Sequence, residues 1–320
     1  MGPMRYEHFH VSDGCKIAFQ TSETLDTPMR NTIVLLVHGF SGSSAYFKKN
    51  FASLSAIAWT VAVDLRGHGE SGRPDGGYHV ARLAADLKEL ITYLRKCLPN
   101  QRLSVVPVGC SIGAAVLWTY VELFSDEDFI AMVFVDQAPL QDRSLFGDWN
   151  QSLAHRGCFD EASLLAAQKY WIEEPEMAFK DLVKDCLGYR YQPLPSDTVT
   201  PEQARADEEF FVGESRKCDT LWLARLLGDH TRYDHREACE MICVPVLVMM
   251  GTRSGCFSLQ GMMETVQRVN KGRYDRGIQS EETAAQALEF DSGHWLFWEE
   301  PKRFHNQIAK LLMHVMTLAR

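Results

Sequence analysis

The chain has no cationic patch to offer a polyanion. Its 320 residues carry 33 Lys and Arg against 42 Asp and Glu, a formal charge of -9, and no cation cluster is longer than a pair, such as Lys48-Lys49 or Arg216-Lys217. An acidic surface repels a phosphate backbone, so no nucleic-acid partner is expected. No apolar run approaches the roughly eighteen residues of a membrane span, and residues 1–8 lack the apolar stretch of a secretory signal. The expectation is a soluble, cytoplasmic protein with no membrane partner. The nine cysteines form no Cys-x-x-Cys pair and have no histidine nearby at zinc spacing, which points to free thiols and no metal. Neither Gly-x-Gly-x-x-Gly after the first parallel strand nor Gly-x-x-x-x-Gly-Lys-Ser/Thr occurs, so no dinucleotide or nucleotide cofactor is implied. Low-complexity tracts and internal repeats are absent too.

What the chain does have is an ordinary globular composition, 46% hydrophobic and 23% charged, and an alternation of two periods. Ile33–Val37 is a continuous apolar run ending at His38-Gly39, the pattern of a strand buried on both faces of a parallel sheet. Residues 61–63, 103–108, 130–135 and 244–250 read likewise. Between them Val80, Leu83, Leu87, Leu90, Leu94 and Leu98 recur at helical spacing until Pro99-Asn100. A second helix runs from Ile112 to Leu123, and a third, entered through Pro301, carries Phe304, Ile308, Leu311, Leu312 and Val315. Strand, helix, strand, repeated, predicts a mostly parallel sheet with helices on both faces. Ser12-Asp13-Gly14 between residues 6–11 and 15–20 adds an antiparallel hairpin at one edge.

From about Pro139 to Glu240 the strand pattern stops. Only helical segments with caps remain, such as Asp160 before Leu164-Leu165 and the capping box Thr200-Pro201-Glu202-Gln203. The expected organisation is a core of residues 1–138 and 241–320, with 139–240 as a helical cap over the carboxyl edge of the strands, where open α/β sheets bind ligands.

Gly109-Cys110-Ser111-Ile112-Gly113 follows a strand run and opens a helix. That is the context of a Gly-x-Ser-x-Gly nucleophile elbow, whose glycines let the chain turn sharply and leave a serine Oγ exposed above a helix N-terminus. His38-Gly39-Phe40, the loop from Asp64 to Ser71, and Ser292-Gly293-His294-Trp295 lie after other strand runs. With Pro-Val-Leu-Val-x-x-Gly at residues 245–251 and Gly-His-x-x-x-x-Glu-x-Pro at 293–301, these motifs fall in one order across nearly the whole chain outside the cap. In this the sequence resembles the α/β-hydrolases of the Ser-triad esterase and cofactor-free chloroperoxidase-like branch. The resemblance implies an eight-stranded, mostly parallel sheet, Ser111 as nucleophile, His294 as base, and the backbone N–H groups of Phe40 and Ile112 as an oxyanion hole, with no cofactor.

One family element is missing. Where the resemblance places an acid after the seventh strand, Gly251-Thr252-Arg253-Ser254 offers a serine, which cannot supply the charge that orients an imidazolium. Asp136 is the expected replacement, because it ends the strand that follows the nucleophile's helix; haloalkane dehalogenases are similar in drawing an acid from this strand. The competing reading makes Asp136 a strand-end cap for backbone N–H groups, and Asp291 is a weaker candidate for the acid. Cys110, His68 and Arg66 read as packing and loop scaffolding. The serine at the elbow argues against epoxide hydrolase or dehalogenase chemistry, which looks for aspartate there.

The function implied is hydrolysis of a carboxylic ester, lactone or thioester through an acyl-enzyme. The cap's many aromatics, among them Phe146, Trp149, Tyr170, Trp171, Phe179, Tyr189, Tyr191, Phe210, Phe211 and Trp222, are expected mostly to form its own core and otherwise to line an apolar pocket for a small apolar or aromatic substrate. An acyl transferase, a lyase or cyclase, or a ligand receptor for a polyketide-like compound stays open on the same fold, and the Val-Asp-Gln-Ala-Pro stretch resembles hydrolase-like proteins of fungal secondary metabolism. A homodimer is compatible with all of these.

Overall fold

The computed structural model describes residues 5–98, 101–142, 159–278 and 280–318. The Pro99-Asn100 helix stop and two of the aromatics, Phe146 and Trp149, lie outside them. Strands β1 (Arg5–His10), β2 (Lys16–Thr21) and β3 (Thr32–Val37) are followed by α1 (Phe51–Ser55), β4 (Trp59–Val63), α2 (Val80–Lys96), β5 (Ser104–Cys110), α3 (Ile112–Phe124) and β6 (Met132–Val135). Six helices come next: α4 (Glu161–Glu173), α5 (Pro175–Cys186), α6 (Gly188–Tyr191), α7 (Pro201–Ser215), α8 (Thr220–Arg232) and α9 (Arg236–Met241). The chain closes with β7 (Val246–Gly251), α10 (Leu259–Asp275), β8 (Gln286–Phe290), α11 (Leu296–Glu299) and α12 (Pro301–Leu318).

The eight strands form one sheet in the order β1-β2-β4-β3-β5-β6-β7-β8. β1 and β2 pair antiparallel, β2 meets β4 antiparallel, and every pair from β4 through β8 is parallel. The apolar runs are the strands buried on both faces: all of β4, β6 and β7 and nearly all of β3 and β5 are buried. From β3 the chain steps outward to β4 and then back across to β5, so the winding direction reverses beside β3. Ligand crevices open at such a reversal, beyond the carboxyl ends of the strands, and Ser111 stands there.

Helices α2 and α12 are amphipathic, burying Leu83, Leu87, Leu90 and Leu94, and Phe304, Ile308, Leu312 and Val315 respectively. Helix α3 is different: every residue from Ile112 to Val121 is buried. It is apolar all round because it touches α2, α9 and β5.

Among its described residues the long interval between β6 and β7 holds helices joined by loops and no strand, apart from an isolated bridge between Asp142 and Phe159. Asp160 caps α4 in a full box with Ser163. Thr200 caps α7 through the Gln203 N–H, yet the reciprocal half of the expected box is absent, because the Gln203 amide reaches forward to Asp207 at 2.7 Å. The last helix of the interval, α9, packs on α3 and α10. No helix among the described residues is long and apolar enough to cross a membrane.

Candidate active site

Ser111 occupies a backbone conformation that side chains rarely adopt, φ 54° and ψ −125°. Three glycines make room for that turn. A Cβ on Gly109 would sit 2.5 Å from the Gly113 carbonyl oxygen, one on Gly113 would sit 2.5 Å from the Val37 carbonyl oxygen, and one on Gly39 would press on the Ser111 Cβ at 3.0 Å. The first turn of α3 thus lies directly against the end of β3. Ser111 is half-buried, and its N–H donates to the Val135 carbonyl at 2.9 Å. The N–H groups of Phe40 and Ile112, the expected oxyanion donors, flank it in sequence on the β3 loop and at the start of α3. Neither has a backbone or side-chain acceptor among the described residues.

Register carries Asp136 to the same edge. Cys110 pairs with Val135 in the β5–β6 ladder, so Ser111 and Asp136 each follow a member of one pair. Asp136 is also in the left-handed region, at φ 47°, and is fully buried. Its Oδ1 lies 2.6 Å from His294 Nδ1 and accepts from Ser254 Oγ at 2.7 Å, while Oδ2 accepts from the Gly251 N–H at 2.7 Å. The serine where the resemblance places an acid therefore donates to the carboxylate expected to replace it. The strand-end role weighed against catalysis for Asp136 is present as well, in the Gly251 bond. Asp291 is exposed and ion-paired with Arg253 at 3.0 Å, away from the His294 ring nitrogen that Asp136 occupies.

His294 follows β8 in a turn held from several sides. The Gly293 N–H donates to Glu299 at 2.7 Å, Arg253 N–H to the Ser292 carbonyl at 3.0 Å, and Trp295 N–H to the Cys186 carbonyl at 3.1 Å. Glu299 also accepts from the Gly188 N–H, and burial raises its carboxyl to about 7 in spite of those bonds. Gly188 and Gly293 meet backbone to backbone: a Cβ on Gly293 would lie 2.3 Å from Gly188 N. Helix α6 is thereby docked on the histidine turn.

Two residues that sequence reasoning left as scattered thiols stand here. Cys186 ends α5, Cys256 lies in the loop after β7, and their sulfurs are 3.8 Å apart. The ligand atoms of Cys186, Cys256 and His294 all fall within 4.8 Å of one another. Burial disfavours the His294 imidazolium, but the neighbouring Cys256 and Asp136 outweigh it and raise the ring to about 10. The Cys186 hydrogen bond and the His294 charge lower the Cys256 thiol in turn, against burial. A separation of 70 residues between the two cysteines leaves no spacing signal to find them by.

The other residues singled out in the sequence are scaffold. Cys110 is buried, and desolvation holds its thiol well above the usual range. Arg66 makes a two-point ion pair with Asp86 at 2.5 and 2.8 Å. His68 Nδ1 lies 2.9 Å from the Arg66 carbonyl, and burial lowers its ring to about 4. His38 accepts from the Leu65 N–H and donates to the Gly39 carbonyl at 2.7 Å, a neutral ring tying two loops together.

The aromatics of the interval depart from expectation. Phe211 stacks on Trp295 at 3.8 Å, Phe210 on Trp298 at 4.7 Å, and Trp222 stands edge-on to His68 at 5.6 Å. These three fasten the helices to the segments around the sheet's carboxyl edge, and Trp222 also lines a shallow cavity with Arg73, Asp219 and Arg225. Trp171, packed on Phe179, stands edge-on to Phe40 at 5.0 Å, on the loop that follows β3.

A family model described as alpha/beta hydrolase fold matches residues 32–301. Over 237 residues the chain is 26% identical to a 2-(acetamidomethylene)succinate hydrolase of Mesorhizobium japonicum, covering 73% of this chain and 75% of that protein. Among solved structures it is similar to an esterase from Exiguobacterium antarcticum, with TM-score 0.77 and 16% identity over 98% of this chain and 100% of the other. A bromoperoxidase from Bacillus anthracis gives TM-score 0.78 at 16% identity, over 97% and 100%. At such identity the two likenesses carry the fold alone.

Proposed function

Because the chain belongs to the α/β-hydrolase fold family, we propose that it is an ester-type hydrolase that cleaves a carboxylic ester, lactone or thioester of a small apolar metabolite through an acyl-enzyme on Ser111. The observation that carries this reading is the joint placement of a strained Ser111 at the end of β5 and a buried Asp136 2.6 Å from His294 Nδ1 at the end of β6. With Nδ1 engaged by Asp136, the other nitrogen of the neutral ring is the one that would take the Ser111 proton as Oγ attacks the carbonyl. The oxygen of the tetrahedral intermediate would be met by the N–H groups of Phe40 and Ile112, aided by the N-terminus of α3. His294 returns the proton to the leaving group and then activates water against the acyl-enzyme. Trp171 beside Phe40 supports an apolar acyl or alcohol group at that wall of the site.

One observation favours a second reading. A histidine held protonated by Cys256 and Asp136 is a proton donor before it is a base, which suits an acyl transferase, a lyase or cyclase, or a receptor for a polyketide-like ligand. A chromogenic aryl ester and a fluorophosphonate decide between them. The hydrolase reading expects a burst of phenolate and one phosphonyl adduct per chain on Ser111, both lost in Ser111→Ala. No burst and no adduct at any pH up to 10, with ligand binding that survives Ser111→Ala, would replace it with the second reading.

A further inference from the structure

We propose that Cys256 and Cys186 form a peroxide-oxidisable dithiol pair that sets the protonation of His294. As a regulation of the site described above it rests on the hydrolase reading for its consequence, though not for its chemistry.

Three observations carry it. The two sulfurs are 3.8 Å apart, so they must approach by roughly 1.8 Å to reach disulfide length. Both are braced by backbone on either side of the junction: the Gly255 N–H donates to the Asp185 carbonyl at 3.0 Å, and the Trp295 N–H to the Cys186 carbonyl at 3.1 Å. Gly255 permits this approach, since a Cβ there would lie 2.4 Å from the Asp185 oxygen. Lastly the pair is asymmetric. Cys186 is fully buried, whereas Cys256 is half-buried and beside His294, which favours its thiolate. A cysteine whose thiolate is favoured by the Cys186 hydrogen bond and by His294, backed by a second thiol within reach, is the arrangement of an oxidation site with its resolving partner.

The chemistry balances with a hydroperoxide as oxidant. The Cys256 thiolate attacks one peroxide oxygen; an S–O bond forms, the O–O bond breaks, and the departing hydroxide takes up the proton that the thiol had lost. The Cys186 sulfur then attacks the sulfenic sulfur; the S–S bond forms, the S–O bond breaks, and water leaves with the Cys186 proton. Two thiols are oxidised by two electrons, and the peroxide is reduced to water.

The effect on the site has a defined sign. The groups facing the histidine turn are Asp136 at the end of β6, Cys256 and Arg253 in the loop after β7, Asp291 directly after β8, Cys186 and Asp185 at the end of α5, and Glu299 in α11. Disulfide formation deletes the negative charge of Cys256 from this set and leaves the others in place. An opposite charge at such range holds an imidazole pKa up by about 1 to 3 units. Oxidation therefore lowers the His294 pKa and delivers the neutral base nearer neutral pH. The reduced protein is the restrained form.

The test treats purified protein with hydrogen peroxide and reads three quantities. Metal analysis comes first, then peptide mapping, then the imidazole resonance of His294 through a pH titration of the reduced and oxidised protein. The proposal expects no bound metal, a Cys186–Cys256 linked peptide reversed by dithiothreitol, a dimedone-trappable sulfenic acid at Cys256 in Cys186→Ser, and a His294 midpoint about 1 pH unit or more lower after oxidation. Either an unlinked pair while other cysteines are oxidised, or a linked pair with an unmoved His294 midpoint, overturns it. A protein isolated with one equivalent of zinc that shields both thiols overturns it in favour of a metal site. None of these readouts uses an ester substrate, so a failure of the hydrolase reading appears separately, as the absence of a Ser111 adduct.

Discussion

Around Ser111 the chain is fixed by glycines pressed against neighbouring backbone, all within segments that belong to one sheet and its first helix: Gly39, Gly109 and Gly113. Around His294 it is fixed by side chains and backbone drawn from four distant places, namely the ends of β6 and α5, the loop after β7, and α11. The two halves also treat histidine in opposite ways. His38 and His68, near the elbow, are buried without a counter-charge and stay neutral, whereas His294 is buried against Asp136 and Cys256 and holds its proton. Burial alone does not decide the charge of a ring; what stands 3 to 5 Å from it does.

The largest expected effect tests whether the halves act as one device. Ser111→Ala and His294→Ala should each lower kcat on an activated ester by on the order of 10⁵-fold, and the double substitution by little more, because neither group works alone. Additive losses in single-turnover assays would mean that the two halves are catalytically separate.

That comparison also explains what could be read in advance. The elbow was legible because its requirements are local: a strand run, two glycines four residues apart and a helix start lie within a dozen residues, and each has a steric reason. Asp136 was reachable because sheet register is a long-range rule that sequence order obeys, so the end of the next parallel strand must come beside the elbow. Cys186 and Cys256 obey no such rule. Their meeting depends on how α5 and α6 dock on the turns after β7 and β8, through Gly188, Gly255 and Gly293, and sequence pattern does not encode the approach of an inserted helix to a loop. The same gap explains Phe210, Phe211 and Trp222, whose helical spacing reveals that they are buried but not that their partners are the loops of the sheet.

The second effect lies within the histidine half. Asp136→Asn should lower kcat by about 10³- to 10⁴-fold, since an amide at Nδ1 stabilises the wrong tautomer. Ser254→Ala removes one hydrogen bond to that carboxylate and should cost only about tenfold. Because Ser254 Oγ is already 2.7 Å from Asp136 Oδ1, adding Ser254→Asp to Asp136→Asn should recover part of the loss. Equal damage from Asp136→Asn and Ser254→Ala would return Asp136 to a purely structural role.

The third effect separates the halves by stability. In Gly113→Ala the new methyl meets the Val37 and His38 carbonyl oxygens at 2.5 and 2.9 Å, and both belong to the central strand and its loop. That backbone has nowhere to move, so the cost should be about 3 kcal/mol in denaturant unfolding. Gly188→Ala collides with the Gly293 N at 2.6 Å, but α6 can pivot away, at about 1 to 2 kcal/mol, carrying the histidine turn with it. Gly188→Ala should therefore lose more in kcat than in melting temperature, and Gly113→Ala the reverse. The opposite pattern would show that α6 is no part of what holds His294.

The last effect is the pH dependence of stability, to which the opposed histidines contribute with opposite sign. His68 is lowered to about 4, His230 to about 4 and His235 to about 3, each chiefly by burial, and His38 is lowered as well. For a ring whose folded pKa is depressed, the unfolded chain takes up a proton below about 6.5 and the folded chain does not, so stability falls as pH drops from 6.5 toward 4. Each such ring contributes about 1.4 kcal/mol per pH unit in that window. His294, raised to about 10, works the other way: its contribution is complete below 6.5 and is lost as pH rises toward 10. The lowered Cys256 thiol opposes it, gaining stability over the same rise in pH, so unfolding free energies from urea titrations should climb from pH 5.5 to 6.5 and then level off toward 8.5. His68→Gln should reduce the acid limb by one ring's share of the four, and His294→Gln should turn the level stretch between pH 6.5 and 8.5 into a rise. A His294→Gln protein whose stability stays level between pH 6.5 and 8.5 would show that His294 carries no raised pKa and would remove the charge difference between the two halves of the site.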